Sequence, residues 1–429
     1  MANSFDSELL PQRIRKAVED RIGASIYQTL VIGLVIGKRS EIYAFGKLDD
    51  GRPPDGDTVY EIASLTKTFT ATLLAEAVLS GRLGLDTPVG SLLRDFKIPE
   101  RKAKRISLED TATHFSGLPR IPSNLKPKDR ANPFADYDID RFKVFLADYE
   151  LPRDPGESYE YSNLNTGLLG LALARSAETT YDSLLAEQIL RPFGMSMSGT
   201  TCSDAMLARL APGHDRTGNP AKSWDYGALA GAGAIRSTVN DMLRYLEANM
   251  GVRQTHLSDA MKLAQQERRQ KNENLRIGLA WFSTHGIVVH GGEPGGYKSY
   301  LGFRRDGSKG VVILTNTAAE VYDLGNAVLF DDAPFLAIQK PLRLTIPSLQ
   351  EYVGLYSVDE NLWLKIFRVD YQLYARMSGQ TAFEIFASAP DEFFTDVAGN
   401  GLRFSRNDGA VSALTLHQGA AHTSYSRQV

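Results

Sequence analysis

The sequence predicts a mixed α/β protein of the α+β type, in which an antiparallel sheet is flanked by helices and followed by a small domain made only of strands. Helical patterns recur up to residue 250. Alternating apolar patterns separated by turns follow at 275–316 and indicate consecutive antiparallel strands. From Pro341 to the end, only strand patterns can be recognised. We therefore predict two domains, residues 1–340 and residues 341–429.

The first part of the chain begins with an amphipathic helix and an apolar hairpin. Charged and apolar residues alternate at helical spacing over 1–22. The two apolar runs within 29–49 predict a buried strand and its antiparallel partner. After a turn-rich cluster at 49–57, the pattern predicts a helix over 65–80, which Gly81 ends.

The middle of the chain predicts one long excursion and two further helices. Residues 119–155 are rich in proline and charge, which indicates a surface excursion. A helix is expected to follow "YSN" at 161–163. Another is expected after Thr238, which forms the pattern of a capping box with Asp241.

The C-terminal segment predicts a small antiparallel sheet or barrel. Leu362, Leu364 and Ile366 alternate with other residues, as in a strand with one buried face. The turn "RNDGA" at 406–410 precedes another alternating run. Short strands separated by turns are typical of small barrels.

Composition indicates an ordinary globular protein and excludes several functional classes. Of the 429 residues, 43% are hydrophobic and 23% charged, and the formal net charge of −3 gives no reason to expect nucleic-acid binding. The apolar run at 29–37 is too short to span a bilayer, so no membrane span is expected. Residues 1–22 lack the apolar core of a secretory signal, which predicts a cytoplasmic protein; an exported protein whose signal has been removed would look the same. The sequence does not predict the oligomeric state.

Nothing in the sequence indicates a metal or an organic cofactor. The seven histidines are scattered without ligand spacing, and there is no P-loop, H-E-x-x-H or C-x-x-C motif. "GAGAIR" (231–236) lacks the third glycine of a dinucleotide loop, and no G-x-S-x-G elbow is present. The single cysteine, Cys202, excludes an intrachain disulfide, and we expect it to be a packed, unreactive thiol.

The candidate nucleophile lies at the start of the helix predicted over 65–80. Ser64 and Lys67 are three residues apart, so on a helix they share a face, and the helix N-terminus favours developing negative charge there. Serine needs an adjacent base, and a lysine serves when burial or nearby cations lower its pKa. A helix cap followed by a solvated lysine explains this pair alone equally well. The second S-x-x-K, at 123–126, lies between two prolines and is not expected on a helix.

Two further motifs carry residues suited to the same chemistry. In "YSN" (161–163), a cationic lysine beside Tyr161 would make its phenolate accessible as a base. The alternative is that Tyr161 packs in the core while Asn163 caps a helix. In "HGG" (290–292), glycines after a strand end let backbone N–H groups approach a ligand, as an oxyanion hole requires. The alternative there is a glycine-rich turn.

Together these motifs resemble a known family. They follow one another along the chain as Ser64-Leu-Thr-Lys67, Tyr161-Ser-Asn163 and His290-Gly-Gly292. In that order they resemble the serine β-lactamase and penicillin-binding-protein (DD-peptidase) superfamily, and most of all its class C-like branch, which includes esterases and D-aminopeptidases. Framework segments that resemble the family cover residues 10–335. The C-terminal tail resembles the lipocalin-like domain appended to some members.

The resemblance implies an acyl-enzyme mechanism with no cofactor or metal. Ser64 would be the nucleophile, and Lys67 and Tyr161 would move its proton to the leaving group. Asn163 would hold an amide of the substrate or orient Lys67. The oxyanion hole would combine the N–H of Ser64 with a backbone N–H just after the HGG segment, taken to be that of Glu293.

One position departs from the pattern of most similar lactamases. They have a lysine where His290 stands, which gives a substrate carboxylate a permanent positive charge. Histidine, with an ordinary pKa near 6.5, is mostly neutral at pH 7, but it could donate a hydrogen bond to Tyr161 or to the substrate. Arg236 is an alternative cation, although a surface arginine at a helix start is the preferred interpretation.

The departure at residue 290 weakens the case for strong lactamase activity and leaves three functions open. The first is a hydrolase of small-molecule esters, D-amino-acid amides or peptides, or β-lactams. The second is an acyltransferase or peptide cyclase that uses the same acyl-enzyme. The third is a catalytically weak penicillin-binding or scaffold protein.

Overall fold

The protein divides into two compact units, Met1–Leu336 and Ala337–Val429. The structure is a computed structural model, and it describes residues 8–336, 338–369, 371–380, 382–395 and 400–428. Among these residues, no helix is both long enough and apolar enough to cross a bilayer.

The first unit combines helices with an antiparallel sheet, and the mixed class predicted from the sequence is confirmed. Its helices are α1 (Gln12–Gly23), α2 (Thr66–Leu79), α3 (Val89–Leu92), α4 (Leu108–Thr113), α5 (Ile139–Asp148), α6 (Asn163–Ser176), α7 (Tyr181–Leu185), α8 (Arg191–Phe193), α9 (Asp204–Leu207), α10 (Ala230–Gly233), α11 (Val239–Asn249), α12 (Ser258–Gln265) and α13 (Tyr322–Leu329). Short 3₁₀ turns occupy Ala63–Leu65 and Gly227–Leu229, and a π-helical turn occupies Ala186–Leu190.

The strands of this unit form one large sheet and three two-stranded ones. They are β1 (Thr29–Ile36), β2 (Arg39–Gly46), β3 (Tyr60–Glu61), β4 (Glu100–Arg101), β5 (Lys104–Arg105), β6 (Gly213–His214), β7 (Pro220–Ala221), β8 (Arg236–Ser237), β9 (Arg269–Asn272), β10 (Leu275–Ile277), β11 (Phe282–Thr284), β12 (Ile287–Gly292), β13 (Lys298–Arg304) and β14 (Lys309–Thr315). The large sheet has the order β2-β1-β14-β13-β12-β11-β10-β9, and neighbouring strands are antiparallel.

The part of the large sheet around β1 and β14 is covered closely by helix α11. Strand β1 is buried along almost its whole length. A side chain at Gly33 would lie 2.7 Å from Val239 and 2.8 Å from Leu243, both on α11. This glycine therefore allows α11 to pack directly on the sheet.

Helices α2, α6 and α10 pack closely on one another. A side chain at Gly170 of α6 would lie 3.1 Å from the Cα atom of Gly231 in α10. The hydroxyl of Thr70 in α2 donates to the carbonyl oxygen of Gly231 at 2.7 Å. Glycine thus lets α6 and α10 approach backbone to backbone, and α2 lies against the same pair.

The segment predicted as a surface excursion, 119–155, contains a helix that the sequence analysis missed. Helix α5 begins after Asp138, whose side chain accepts a hydrogen bond from the Arg141 N–H, and it buries Phe142 and Phe145. The prediction is wrong here because charged residues between the apolar positions hid a short amphipathic helix.

The second unit is a closed antiparallel barrel, and the predicted barrel is confirmed. Its strands are β15 (Gly354–Ser357), β16 (Trp363–Val369), β17 (Gln372–Met377), β18 (Phe383–Ala389), β19 (Glu392–Phe394), β20 (Asn400–Asn407), β21 (Ala410–Gln418) and β22 (Ala421–Arg427). They pair in sequence order, and β22 closes the barrel on β15. Leu364 and Ile366 point into its core, as their alternation predicted.

One helix precedes the barrel, contrary to the expectation of strands alone. Helix α14 (Ile346–Tyr352) is capped by Thr345, whose hydroxyl accepts from the Ser348 N–H, and it has proline in its first turn. Proline is favourable in the first turn of a helix, but a helix of seven residues is too short to show helical periodicity.

Candidate active site

Ser64 lies in the 3₁₀ turn that leads into α2. The turn is held by β3, which pairs with β8, and by a hydrogen bond from the Ile62 N–H to the Ile235 carbonyl oxygen at 3.1 Å. Ala63 has a left-handed φ of 45°, a sparsely populated conformation for a residue with a side chain. Its neighbours Ala63 and Leu65 are buried, whereas Ser64 remains partly exposed. The hydroxyl is therefore presented to a ligand from a fixed backbone.

Lys67 is completely buried and contacts the candidate nucleophile. Its Nζ lies 2.9 Å from Ser64 Oγ, 2.9 Å from Asn163 Oδ1 and 2.7 Å from the carbonyl oxygen of Ala232. Burial, and then the charge of Arg120, lower its pKa well below the usual 10.5. The solvated-lysine alternative is wrong, and an amine with a lowered pKa can accept the proton of a serine.

Tyr161 provides the second contact to the nucleophile. Its hydroxyl donates to Ser64 Oγ at 2.8 Å, and Lys67 Nζ lies 5.0 Å from the centre of its ring. Burial raises the pKa of Tyr161 to about 12, although the hydrogen bond with Ser64 and the charge of Arg120 act in the opposite direction. At neutral pH, Tyr161 is therefore a neutral phenol, in contrast to the phenolate that the sequence analysis expected.

Asn163 is free to hold Lys67 because another residue caps the helix. Ser162 is the cap of α6: its hydroxyl accepts from the Asn165 N–H at 3.1 Å and donates to the Pro119 carbonyl oxygen at 2.6 Å. The alternative in which Asn163 is the cap is therefore wrong. As the first residue of α6, Asn163 directs its amide oxygen to Lys67 Nζ.

Strand β12 passes directly beside the turn that carries Ser64. A side chain at Gly292 would overlap the carbonyl oxygen of Ile62, and the hydroxyl of Ser299 on β13 donates to the same oxygen at 2.9 Å. A side chain at Gly291 would overlap the hydroxyl of Tyr322. Close backbone approach thus requires both glycines, which argues against a simple glycine-rich turn.

Glu293 follows directly after the last residue of β12. Its side chain is exposed, and its carboxylate lies 2.9 Å from Lys298 Nζ. The structure thus places the backbone of Glu293 at the end of the strand that borders the Ser64 turn. Its contribution to an oxyanion hole stays a prediction.

The imidazole of His290 does not donate a hydrogen bond to Tyr161, as the sequence analysis had allowed. It is 2% exposed, and its Nδ1 lies 2.7 Å from the Gly291 carbonyl oxygen, which can only accept; the proton is therefore on Nδ1. Nε2 has no hydrogen-bond partner among the described residues and is left as an acceptor. Burial, and then the charge of Lys67, lower the pKa of His290 to about 3. His290 is thus neutral at pH 7.

His114 is a site residue that the sequence analysis did not single out. It lies at the C-terminal end of α4 with φ of 63°, and its ring centre lies 4.6 Å from that of Tyr161. Its Nδ1 accepts from the Ser162 N–H at 3.3 Å, and its Nε2 has no partner in the described part of the chain. The signal was present in "THFSGLP" (113–119), but nothing in its spacing indicated contact with Tyr161.

Arg236 is buried, so its interpretation as a surface arginine is wrong. It is 6% exposed and lies on β8. Its guanidinium donates to the carbonyl oxygens of Thr200 and Trp224 and to Asp225 at 3.2 Å, and it lies 3.6 Å from Glu61. Its charge is thus paired with two carboxylates.

Comparison with known proteins identifies the family. A family model described as Beta-lactamase matches residues 12–331, most of the chain. This chain belongs to the beta-lactamase family. Solved structures that share its fold include class C beta-lactamases.

The beta-lactamase-family chain is similar to several curated proteins. The beta-lactamase of Providencia stuartii is 28% identical over 225 residues, 51% of this chain and 54% of that protein. The D-alanyl-D-alanine-carboxypeptidase/endopeptidase AmpH of Escherichia coli K12 is 27% identical over 295 residues, 63% of this chain and 75% of that protein. The match covers between half and two thirds of the length of the first relatives, those from Providencia stuartii and Pseudomonas fluorescens.

Solved structures show the same fold as this family member. The class C beta lactamase from Rhodobacter sphaeroides has a TM-score of 0.64 at 24% identity and covers 73% of this chain and 98% of its own. The Beta-lactamase/D-alanine carboxypeptidase from Yersinia pestis complexed with citrate has a TM-score of 0.64 at 23% identity, over 73% and 94% of the two chains. In the described residues of this chain, no group of three or more His, Cys, Asp or Glu side chains could hold a metal ion.

Proposed function

We propose that this protein is a serine hydrolase that forms an acyl-enzyme at Ser64. The observation that carries the proposal is the convergence of two proton-transfer groups on one hydroxyl. Lys67 Nζ and Tyr161 OH lie 2.9 and 2.8 Å from Ser64 Oγ, although the residues come from α2 and from the start of α6. Both distances allow direct proton transfer.

The proposed acylation begins with loss of the Ser64 proton to Lys67. The lowered pKa of Lys67 makes the neutral amine available as that base. Tyr161, a phenol hydrogen-bonded to the same oxygen, relays a proton to the leaving group. As Ser64 Oγ attacks the carbonyl carbon, the backbone N–H groups of Ser64 and Glu293 stabilise the oxyanion. Water then releases the acyl group by the same steps in reverse.

The proposed substrates are small molecules with an acyl group: esters, D-amino-acid amides or peptides, and β-lactams. The relatives named as beta-lactamases and as a D-alanyl-D-alanine carboxypeptidase support the last two classes. The neutral His290 favours esters and amides over strong lactam hydrolysis, because it offers no positive charge to the carboxylate of a penicillin.

Intact-mass analysis tests the proposal. The protein is incubated with p-nitrophenyl esters, penicillins and D-amino-acid amides, and we expect the mass to increase by one acyl group. Ser64→Ala should remove the adduct and the turnover. Ser123→Ala is the matched control, because Ser123 is an exposed serine in the other S-x-x-K sequence, and it should behave as wild type. Turnover that survives Ser64→Ala would refute the proposal.

Two additional readouts separate the functions considered from the sequence. A competing amine added to the reaction would be incorporated into the product by an acyltransferase, whereas a hydrolase releases the free acid. An adduct that forms without turnover would indicate a penicillin-binding or scaffold protein.

A further inference from the structure

Several basic side chains lie on the strands around the Ser64 turn, and each of them is either neutral or paired with carboxylates. His290 is neutral. Arg236 is paired with Glu61 and Asp225. Lys298 Nζ lies 2.9 Å from Glu293 and 3.5 Å from Glu320. None of these side chains offers a free positive charge to a substrate.

Two exposed cations, Arg120 and Lys271, differ from these side chains in having only aromatic partners. The guanidinium of Arg120 lies over the ring of Tyr161, 5.6 Å from its centre. The ammonium of Lys271, on β9, lies 5.0 Å from the ring centre of Tyr159 and 5.4 Å from that of Phe282. Within the described residues, neither side chain forms an ion pair or a hydrogen bond, and both are exposed.

The rings beneath these cations form one connected wall. Tyr159 lies 6.4 Å from Phe282 and 6.0 Å from His114, measured between ring centres. His114 lies 4.6 Å from Tyr161, and Phe282 lies 5.4 Å from His290. Arg120 and Lys271 therefore stand on the same aromatic wall, whose Tyr161 end contacts the nucleophile.

The position of Arg120 is set by the site itself. The Asn163 N–H donates to the carbonyl oxygen of Arg120 at 3.0 Å, so the arginine is tied to the start of α6. Its charge acts on the pKa values of Tyr159 and of Lys67 and Tyr161, the two residues that contact Ser64 Oγ.

We propose that Arg120 and Lys271 bind a free carboxylate of the substrate, next to the bond that Ser64 attacks. A guanidinium matches a carboxylate with two parallel hydrogen bonds, the ammonium of Lys271 adds a second positive charge on the same aromatic wall, and the rings accommodate an apolar linker to the reacting carbonyl. The preferred substrates are thus carboxylate-bearing esters or amides. This inference rests on the proposed function and specifies its substrate class.

Paired esters test the inference in two arms. In the acyl arm, mono-p-nitrophenyl glutarate is compared with p-nitrophenyl valerate. In the leaving-group arm, 3-carboxyphenyl butyrate is compared with phenyl butyrate. We expect a higher kcat/KM for the anionic ester in at least one arm, and we expect Arg120→Gln to reduce that preference at least tenfold. Lys271→Gln should reduce it less, because an ammonium forms no bidentate pair.

Matched variants separate the site from the overall charge. Arg191→Gln and Lys38→Gln remove the same charges from exposed positions on α8 and in the β1–β2 turn, and both should keep the preference. Arg120→Lys should keep part of it. Raising the ionic strength should weaken the preference of wild type more than that of Arg120→Gln. For each variant, kcat/KM is measured at a pH where it no longer changes with pH.

The outcomes distinguish the inference from the proposed function. Without Ser64-dependent turnover of any ester, the proposed function fails, and glutarate then serves as a binding probe. It should raise the midpoint of thermal unfolding of wild type but not of Arg120→Gln. Equal kcat/KM for neutral and anionic esters in both arms, or a preference that survives Arg120→Gln, would overturn the carboxylate site. So would the absence of a glutarate effect in a protein without turnover.

Discussion

At the scale of single residues, the site is organised around the proton of Ser64. Lys67 is buried among three oxygen acceptors, from Ser64, Asn163 and Ala232, which match the three N–H groups of an ammonium. Burial opposes that charged form and lowers the pKa. The same lysine can therefore be held firmly in both protonation states, as a group that accepts and returns a proton must be.

The pH dependence of activity should report the pKa of Lys67. The neutral amine is the base, so kcat/KM should rise with pH through that pKa, which lies well below 10.5. Arg120 lowers it, because a nearby positive charge disfavours the ammonium. In Arg120→Gln the acidic limb should move to higher pH, with several-fold lower activity below it. The measurement is the pH profile for a neutral ester such as p-nitrophenyl valerate.

Two controls accompany this profile. Arg191→Gln should leave the acidic limb of the pH profile where it is in wild type. High ionic strength should reduce the difference in pKa between wild type and Arg120→Gln. A limb that stays fixed or moves to lower pH in Arg120→Gln would show that Lys67 is not the titrating base.

At the scale of elements, the start of α6 carries most of the site. Ser162 caps the helix, and the residues on either side of it, Tyr161 and Asn163, contact Ser64 and Lys67. The cap therefore fixes the direction in which both side chains leave the backbone. Loss of the cap should affect stability and activity together.

Ser162→Ala should cost about 1–3 kcal/mol, since it removes an N-cap and leaves the Pro119 carbonyl oxygen without its hydroxyl donor. We also expect a lower kcat, because Tyr161 and Asn163 lose their fixed position. Thr180→Ala removes the cap of α7 and is the control: it should cost about 1 kcal/mol and leave kcat unchanged. Chemical denaturation and ester turnover measure the two effects. A full kcat in Ser162→Ala would contradict this role.

The contact between β12 and the Ser64 turn gives a second prediction at this scale. In Gly292→Ala, the added methyl would overlap the Ile62 carbonyl oxygen, so the strand or the turn must move. We expect a loss of about 1–3 kcal/mol and about a hundredfold lower kcat/KM, because small displacements of reacting groups are costly.

Gly23→Ala is the matched control for this variant. A side chain at Gly23, the last residue of α1, would meet nothing within 4 Å. It should keep wild-type activity and stability. Wild-type kcat/KM in Gly292→Ala would show that the close approach of β12 does not matter for the reaction.

Local spacing predicted the part of the site that one short stretch of chain forms. Ser64 and Lys67 could be paired from sequence because helix geometry brings residues three apart together. Ala232, the third partner of Lys67, could not, since it comes from a segment 165 residues away. The tautomer of His290 likewise depends on one backbone carbonyl oxygen, whose direction no pattern encodes.

The same limit explains the errors in the fold. The large sheet and the barrel were predictable because alternation over several strands is a strong signal. Helices α5 and α14 were missed because each is short, and α14 has a proline in its first turn. Arg236 was wrongly predicted to lie on the surface. The cost of burying its charge is offset by Glu61 and Asp225, partners that only the fold brings together.

At the scale of the whole molecule, each of the two units has a hydrophobic core among its described residues. One lies in the first unit and includes Phe69 and Tyr245, whose rings stack. The other lies within the barrel and includes Leu414 and Tyr425, which are paired across β21 and β22. A closed barrel leaves no open sheet edge. We therefore propose that residues 337–429 form a domain that folds by itself, close to the boundary predicted from the sequence.

Separate cores predict separate unfolding. The fragment 337–429 should show the circular dichroism of a β protein and unfold cooperatively. Leu414→Ala removes a side chain that is 1% exposed and should destabilise the fragment by about 2–5 kcal/mol. Leu355→Ala, at an exposed leucine of β15, should have little effect. In the full chain, Leu414→Ala should shift only one of two thermal transitions and leave acylation of Ser64 intact. If the fragment stays unfolded, or if Leu414→Ala shifts both transitions equally, the two units fold as one cooperative body.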